Sequence, residues 1–275
     1  MRLTTKIVLG IISSIFLMSF CLVIYNSFFS KEDLNYEVPH ISQLNFTHVD
    51  IEPYKTILID KDVIQDSRSI NFSGTFMLRP VINEDEKNKL FLPDELLQFT
   101  DIISSNDTLI IKLKMDDLYE KYYTLLRRGR STYYLNGVNF FLHTSMVDVV
   151  CDVNKMDVGV QSIKTDKIKI NTRGAIYIDS CQVNIIEPYM MDEWRTFTVK
   201  NSQVKELNID RDNTRSRKFE NCEIEVINFT GSKYSNSRSL FSSEIGSKTL
   251  NWIPKDEEAQ LRVVLQNDTA RIVFQ

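Results

Sequence analysis

The chain has 275 residues, of which 43% are hydrophobic and 25% charged, a composition typical of a folded globular protein and not of a disordered one. Its eight glycines and six prolines are too few for a collagen-like or flexible low-complexity sequence. The 33 basic and 37 acidic residues give a net charge of −4, which excludes the broad basic surface that binds nucleic acid. We therefore expect a folded protein with no nucleic-acid partner.

An apolar run near the amino terminus predicts a membrane anchor. Residues 7–30 carry no charged side chain, and residues 7–25 would extend roughly 28 Å as a helix, close to the hydrocarbon thickness of a bilayer. Arg2 and Lys6 precede the run, and such a positive flank stays in the cytoplasm. We expect residues 1–30 to hold one transmembrane helix that contacts the membrane through residues 7–29. The rest of the chain would then be periplasmic or extracellular.

A cleaved signal peptide is the alternative for this segment. The apolar run is longer than a usual signal core, and its end at residues 25–30 lacks the small-x-small spacing of a cleavage site. A lipid-modified Cys21 is disfavoured, because Phe20 precedes it where lipoprotein processing requires a small residue. The sequence favours the anchor and leaves cleavage open.

After the anchor, the chain divides into a spacer and a strand-rich region. Residues 31–55 are interpreted as a polar spacer, and the repeat domain is assigned to residues 56–275, less regular up to about residue 150. Within that part, strands are predicted at 56–60, 69–78 and 109–113, a solvated loop at 83–89, and a short helix or insertion at 116–126. Residues 133–150 are again strand-rich, and 261–275 is predicted as a hairpin that caps the domain.

From residue 158 onward the sequence repeats with a nearly constant step of about 20 residues, a period typical of stacked repeats. The leading apolar residues of successive units are Val158, Ile178, Val199, Phe219 and Leu240, and another apolar residue follows five places after each. Apolar and polar residues alternate within the units, which indicates half-buried strands.

Two strands in each of these short units predict an all-β fold. We interpret it as a single-stranded β-helix, or β-solenoid, in which each leading residue stacks on the previous one. An antiparallel sandwich or meander is the alternative, because it also places a strand about every 8–12 residues.

The repeat also makes a prediction about two cysteines. Cys181 and Cys222 occupy equivalent places two units apart, with Ser202 between them. Two inter-strand spacings separate their Cα atoms by about 9–10 Å, which exceeds the reach of a disulfide. They should therefore be free thiols at small-residue positions.

The sequence resembles the family of the auto-transporter adhesin head domain, also called the head GIN domain. The matching features are the apolar amino-terminal segment, the strand signature Ser-Asn-Asp-Thr-Leu-Ile-Ile at 105–111, and the strand–glycine–strand unit at 169–178. The resemblance covers about residues 50–275, although this chain has fewer turn glycines than such proteins. It implies a right-handed β-helix, a cell-envelope location and a binding or adhesive role, with no catalytic residues to transfer.

Recognisable catalytic and metal-binding motifs are missing from the sequence. The three histidines have no metal-ligand spacing, and there is neither a phosphate-binding glycine loop nor a GxSxG motif. We therefore expect no metal and no cofactor. One candidate binding cluster combines arginines with aromatic side chains that could bind an anionic sugar or phosphate: Arg127, Arg128, Arg130, Tyr133 and Tyr134. A hairpin tip is the simpler interpretation of that cluster.

A second cluster leaves an enzymatic hypothesis open. Asp210, Arg211 and Asp212 supply the carboxylates and the cation that a polysaccharide lyase or glycosidase uses. Such charge runs are more often solvated loops. The leading hypothesis is therefore a non-enzymatic, membrane-tethered envelope protein that presents a binding, adhesion or scaffolding surface to an unidentified envelope glycan or protein. A carbohydrate-active β-helix enzyme is the alternative.

Overall fold

A computed structural model describes residues 17–20, 40–62, 69–122, 132–191, 195–214, 216–235, 239–241 and 247–264. The chain divides into two compact units, residues 1–38 and Pro39–Gln275. In the first unit, residues 17–20 are helical, and Leu17, Met18 and Phe20 are exposed. None of the helices formed by the described residues is long and apolar enough to span a bilayer. Apart from residues 17–20, the predicted anchor lies outside the described part of the chain.

The second unit is built mainly of β-strands. Its first strands are β1 (Phe46–Asp50), β2 (Thr56–Lys61), β3 (Ser69–Arg79), β4 (Lys89–Pro93), β5 (Thr100–Ser105), β6 (Thr108–Leu113), β7 (Thr132–Asn136), β8 (Phe140–His143) and β9 (Val147–Cys151). The later strands are β10 (Met156–Gln161), β11 (Lys164–Thr172), β12 (Ile176–Asp179), β13 (Gln182–Met190), β14 (Thr196–Lys200), β15 (Gln203–Asp210), β16 (Ser216–Glu220), β17 (Glu223–Gly231), β18 (Ser239–Phe241), β19 (Ser247–Pro254) and β20 (Arg262–Val264). Two short helices, α1 (Asp94–Leu97) and α2 (Met115–Tyr122), join the first group.

Eighteen of these strands form two large mixed sheets, and β18 and β20 form a separate two-stranded sheet. The first sheet has the order β1-β4-β8-β3-β10-β12-β14-β16, with β7 also paired to β3. The second has the order β19-β17-β15-β13-β11-β9-β2-β6-β5. From β10 to β17, consecutive strands alternate between the two sheets and pair in parallel with strands of the neighbouring units. The antiparallel pairing of the alternative sandwich or meander is therefore wrong for this region.

The predicted step of the repeat is confirmed in the central units. Val199 of β14 pairs with Ile178 on one side and with Phe219 on the other, and Val204 pairs in the same way with Val183 and Ile224.

At both ends of the repeat the predicted alignment is wrong. Ile178 pairs with Val160 instead of Val158, because a shorter unit precedes it. At the other end β18, which contains Leu240, pairs with β20 instead of β16.

The alternation of side chains along each strand produces the core. In β12, Ile176 and Ile178 are buried, whereas Tyr177 between them is exposed. Successive side chains of a strand point to opposite faces, so period-2 sequences place one apolar row inside. Parallel stacking then puts these rows in contact from unit to unit, and Val199 is fully buried between its two neighbours.

From β10 to β17, a left-handed residue marks each corner at which the chain passes from the first sheet to the second. Ser162, Ser180, Asn201 and Asn221 have φ values of 57°, 57°, 48° and 51° and lie between consecutive strands. Asparagine tolerates this backbone region better than most residues. The Nδ2 of Asn221 donates to Oδ1 of Asn201 (3.3 Å), and the Nδ2 of Asn201 donates to Oδ1 of Asp179 (2.9 Å). Side-chain hydrogen bonds therefore connect successive corners.

At three of these corners, after Ser180, Asn201 and Asn221, a small residue follows and turns its polar atom to the backbone. The Ser202 hydroxyl donates to the carbonyl oxygen of Lys200 (2.7 Å) and accepts from the N–H of Cys181 (3.0 Å). The Cys222 thiol lies 3.0 Å from the carbonyl oxygen of Val199. Cys151, Cys181 and Cys222 are free thiols, as predicted for the last two, and burial raises the pKa of Cys151 to about 11.

The less regular amino-terminal part completes one end of both sheets. The predicted strands at 56–60, 69–78 and 109–113 are present as β2, β3 and β6, and the predicted helix begins at Met115. The segment interpreted as a spacer contains β1, which pairs antiparallel with β4. At the other end, residues 262–264 form β20, while residues 265–275 of the predicted hairpin lie outside the described part.

Candidate functional site

The arginine–tyrosine cluster is only partly described. Arg127, Arg128 and Arg130 lie outside the described residues. Tyr133 and Tyr134 belong to β7, where they pair in parallel register with Ile70 and Asn71 of β3. The predicted binding role of this cluster therefore stays a prediction.

The second cluster lies where β15 ends. The Lys255 ammonium is 2.7 Å from both carboxylate oxygens of Asp210 and 3.0 Å from Oδ2 of Asp212. Asp212 also accepts hydrogen bonds from the N–H and hydroxyl of Ser232. Arg211 is only 1% exposed, and its guanidinium carbon lies 5.9 Å from the Trp252 ring centroid. The ends of β15 and β19 are thus joined through one lysine.

This arrangement favours a structural role for the three residues. Burial acts to raise the pKa of Asp212, but the hydrogen bonds from Lys255 and Ser232 outweigh it and hold the pKa below its usual value. A general acid requires the opposite shift. The Arg211 guanidinium is also too deeply buried to contact an external polysaccharide. The geometry therefore gives no support to the lyase or glycosidase hypothesis.

A groove opens beside this cluster on the outer face of the second sheet. β13 pairs with β15 from Gln182–Gln203 to Ile186–Leu207, and the registered pairing ends there although both strands continue. Pro188 lies just beyond that point and has no N–H to donate to the neighbouring strand. The ladder between β15 and β17, in contrast, continues to Asp210–Thr230. The interruption leaves a groove of about 430 Å³.

The groove combines apolar and polar walls. Tyr189 and Ile253 are 44% and 49% exposed, so the groove has two large side chains with accessible apolar surface. Its other accessible walls come from Lys169, Asn171, Asn208, Asn228 and Thr230. A volume of this size is in the usual range of small-molecule sites.

The charged groups around the groove are already paired. Glu187 lies 2.8 Å from the Lys167 ammonium, and Asp210 lies 2.7 Å from Lys255. Lys169 lies 3.9 Å from Asp148. Lys255 is shared with Asp212, so among the described residues at the groove no lysine is without a carboxylate partner.

A ladder of three asparagines ends in the groove. The Nδ2 of Asn251 donates to Oδ1 of Asn228, and the Nδ2 of Asn228 donates to Oδ1 of Asn208, both at 2.8 Å. If the pairing of β13 with β15 continued, Glu187 would be the neighbour of Asn208. The pairing ends one residue earlier, so the asparagine ladder stops at Asn208. Asn208 thus accepts within the ladder and presents its Nδ2 donor at the groove. Across the groove, Oδ1 of Asn171 is buried and accepts no hydrogen bond from the described residues.

Two other depressions on the described surface are less suited to binding a ligand. A depression of about 590 Å³ is lined by Gln98, Phe99, Asp117, Glu120 and Lys121. A polar depression of about 730 Å³ crosses the second sheet, where Asn184 donates to Asp166 at 2.7 Å. Among the described residues there is no group of three or more His, Cys, Asp or Glu side chains suited to a metal ion.

The groove is not among the sites predicted from the sequence. Two signals were available: the proline at position 188 within a strand, and the recurrence of asparagine at 208 and 228 with the step of the repeat. Neither signal locates Tyr189 and Ile253 on one face, because that requires the register of four strands.

Comparison with known proteins gives a similarity to solved structures only. A "putative adhesin" from Parabacteroides merdae is 10% identical, covers 82% of this chain and 100% of its own, and has a TM-score of 0.37. A "putative adhesin" from Bacteroides fragilis is 9% identical over 82% and 99% of the two chains, with a TM-score of 0.35. A "putative lipid binding protein" from Parabacteroides distasonis is 9% identical over 83% and 100%, with a TM-score of 0.37.

No family model matches the chain, and no curated protein matches it. TM-scores and identities this low assign neither a family nor a function to it.

Proposed function

We propose that this chain is a non-enzymatic envelope protein, tethered to the membrane, whose β-solenoid presents a surface for binding, adhesion or scaffolding. The observation that carries the proposal is the groove on the outer face of the second sheet. It has the size, the exposed apolar walls and the hydrogen-bonding groups of a binding site, whereas the carboxylates next to it are paired with Lys255.

The solenoid part of the proposal is supported by the pairing of strands. Between β10 and β17 each unit contributes one strand to each sheet, and the parallel register advances by a nearly constant interval from one unit to the next. Such a stack builds a long outer face from repeated rows, which suits recognition of an extended partner. An envelope glycan or an envelope protein would fit this surface.

The tether part rests on the amino-terminal sequence. The apolar run at 7–29, with Arg2 and Lys6 before it, would place the folded unit outside the cytoplasm. Protease added to the outer side of intact membranes should therefore digest residues 39–275. Full protection in right-side-out vesicles would contradict this orientation.

The binding role is tested with the full chain in detergent. Purified envelope polysaccharides and membrane proteins from the source cells are immobilised separately, and retention of the chain is measured against a heat-unfolded sample. We expect saturable retention on one of these materials. If the folded chain binds neither material more than the unfolded control, the proposed function is wrong.

A further inference from the structure

We infer that the groove between β13 and β15 is a binding site for a neutral saccharide, with Tyr189 as its stacking platform. The inference rests on the proposed binding function and specifies both its location and its ligand class.

The interruption at Pro188 gives the site its shape. In the uninterrupted part of the second sheet, neighbouring strands stay in register and their outer side chains form continuous rows. Beyond Ile186 the pairing of β13 with β15 ends, and the groove lies there with Tyr189 on one wall and Ile253 on another. An exposed tyrosine ring offers a flat apolar face, which packs well against the flat C–H face of a sugar ring.

The polar groups define what else the ligand must provide. Asn208 presents an Nδ2 donor, because its Oδ1 already accepts from Asn228. Thr230 also lines the groove, and its hydroxyl can donate or accept. A ligand at this site can therefore accept a hydrogen bond from Asn208 and exchange a second one with Thr230. A hydroxyl group does both, and a sugar carries several hydroxyls around an apolar ring face.

The charge balance selects among saccharides. Glu187 and Asp210 are each paired with a lysine at 2.8 Å or less, and Lys169 faces Asp148 at 3.9 Å. A uronic acid or sulfated sugar would gain no uncompensated cation here, and burying its charge without a partner would weaken binding. The site should therefore prefer uncharged sugars to acidic ones.

The test compares two tyrosines that are almost equally exposed. Tyr189 is 44% exposed at the groove, whereas Tyr177 is 43% exposed on the outer face of the first sheet. The full chain is prepared in a polyoxyethylene detergent, which carries no sugar. Isothermal titration calorimetry then measures binding of neutral hexasaccharides of glucose, mannose, xylose and N-acetylglucosamine, together with hexagalacturonate.

We expect at least one neutral hexasaccharide to bind. Tyr189→Ala should weaken that binding by about three- to tenfold, the worth of one aromatic stacking contact. Tyr177→Ala should leave it within about twofold of the wild type. Asn208→Leu should weaken the same interaction, and thermal unfolding of each variant shows whether the fold is retained.

Two results would overturn the inference. One is binding of a neutral sugar that Tyr189→Ala and Tyr177→Ala affect equally. The other is no binding of any neutral hexasaccharide, or binding of hexagalacturonate alone. Neither result refutes the proposed function if the wild-type chain and Tyr189→Ala are both retained on envelope polysaccharide or membrane protein. Failure of the folded wild type on all these materials refutes both.

Discussion

The stacked core makes a quantitative prediction at Ile224. This side chain is 1% exposed, and its strand neighbour in the preceding unit is Val204, with which it pairs in parallel register. Ile224→Ala removes about three methylene equivalents at about 0.8 kcal/mol each, or about 2.4 kcal/mol of transfer free energy. The cavity left between neighbouring units adds to this, so the total loss should be about 2–5 kcal/mol.

Lys205→Ala is the matched control. Lys205 follows Val204 in β15, is exposed, and belongs to the opposite face of the same strand. Its replacement should change the free energy of unfolding by no more than about 0.5 kcal/mol. The two substitutions therefore compare the inner and outer faces of neighbouring strands.

The assay is urea unfolding followed by circular dichroism, with thermal unfolding as a second measurement. Since the urea m-value of a domain is about 1–3 kcal/mol per molar, Ile224→Ala should lower the midpoint by about 1 M or more. For a domain of this size each kcal/mol corresponds to about 2–4 °C in Tm. The m-value is compared as well, because stacked repeats can unfold in parts. Equal losses at Ile224 and Lys205 would refute the assignment of inner and outer faces.

Three further predictions test the strand register, the left-handed corner residues and the ion pair between Asp212 and Lys255. Positions 177 and 198 pair directly, so cysteines placed there in a cysteine-free background should crosslink with a short reagent. Cysteines at 177 and 218 are two strands apart and should not crosslink. The reverse pattern would contradict the register. Asn201→Gly should change the free energy of unfolding, measured in urea, by less than about 1 kcal/mol. Asn201→Val should lower it by about 1–3 kcal/mol, because a β-branched residue is strained at φ 48°. Equal stability of the two variants would exclude the left-handed corner. The pKa of Asp212 is lower in the folded protein than in the unfolded chain, where it is about 3.9. The ionised carboxylate therefore stabilises the fold fully above that pH, and this stabilisation is lost as the pH falls through the pKa of the folded state. The difference in the free energy of unfolding between the wild type and Asp212→Asn should therefore decrease as the pH falls below about 4. A difference that does not change with pH would contradict the ion pair between Asp212 and Lys255.

The central repeat could be predicted from the sequence because each of its residues repeats a local rule. Apolar residues at 178, 199 and 219 recur at one strand position, and period-2 alternation fixes which side of each strand is buried. The small residues at 181, 202 and 222 recur with the same step, so their separation and the absence of a disulfide between the cysteines followed directly. These features depend on spacing along the chain, and spacing is visible in the sequence.

The irregular units could not be predicted in the same way. Val160, and not Val158, became the partner of Ile178 because the unit between them is shorter than the units that follow. Likewise, β2 is positioned between β6 and β9, strands that lie far from it in sequence. Long-range pairing of this kind is decided by the joint packing of the buried rows.

The chemistry of the surface was decided by tertiary structure. Asp210, Arg211 and Asp212 form a charged run in the sequence, but Lys255, which is distant in sequence, forms ion pairs with both carboxylates, and Arg211 is buried. The groove depends on the place where Pro188 interrupts one ladder while the adjacent ladder continues. The sequence by itself determined the strands, their inner faces and their central spacing, because these follow from local periodicity. The groove and the pairing of its charges required the register between strands, because each joins residues that only the folded sheet brings together.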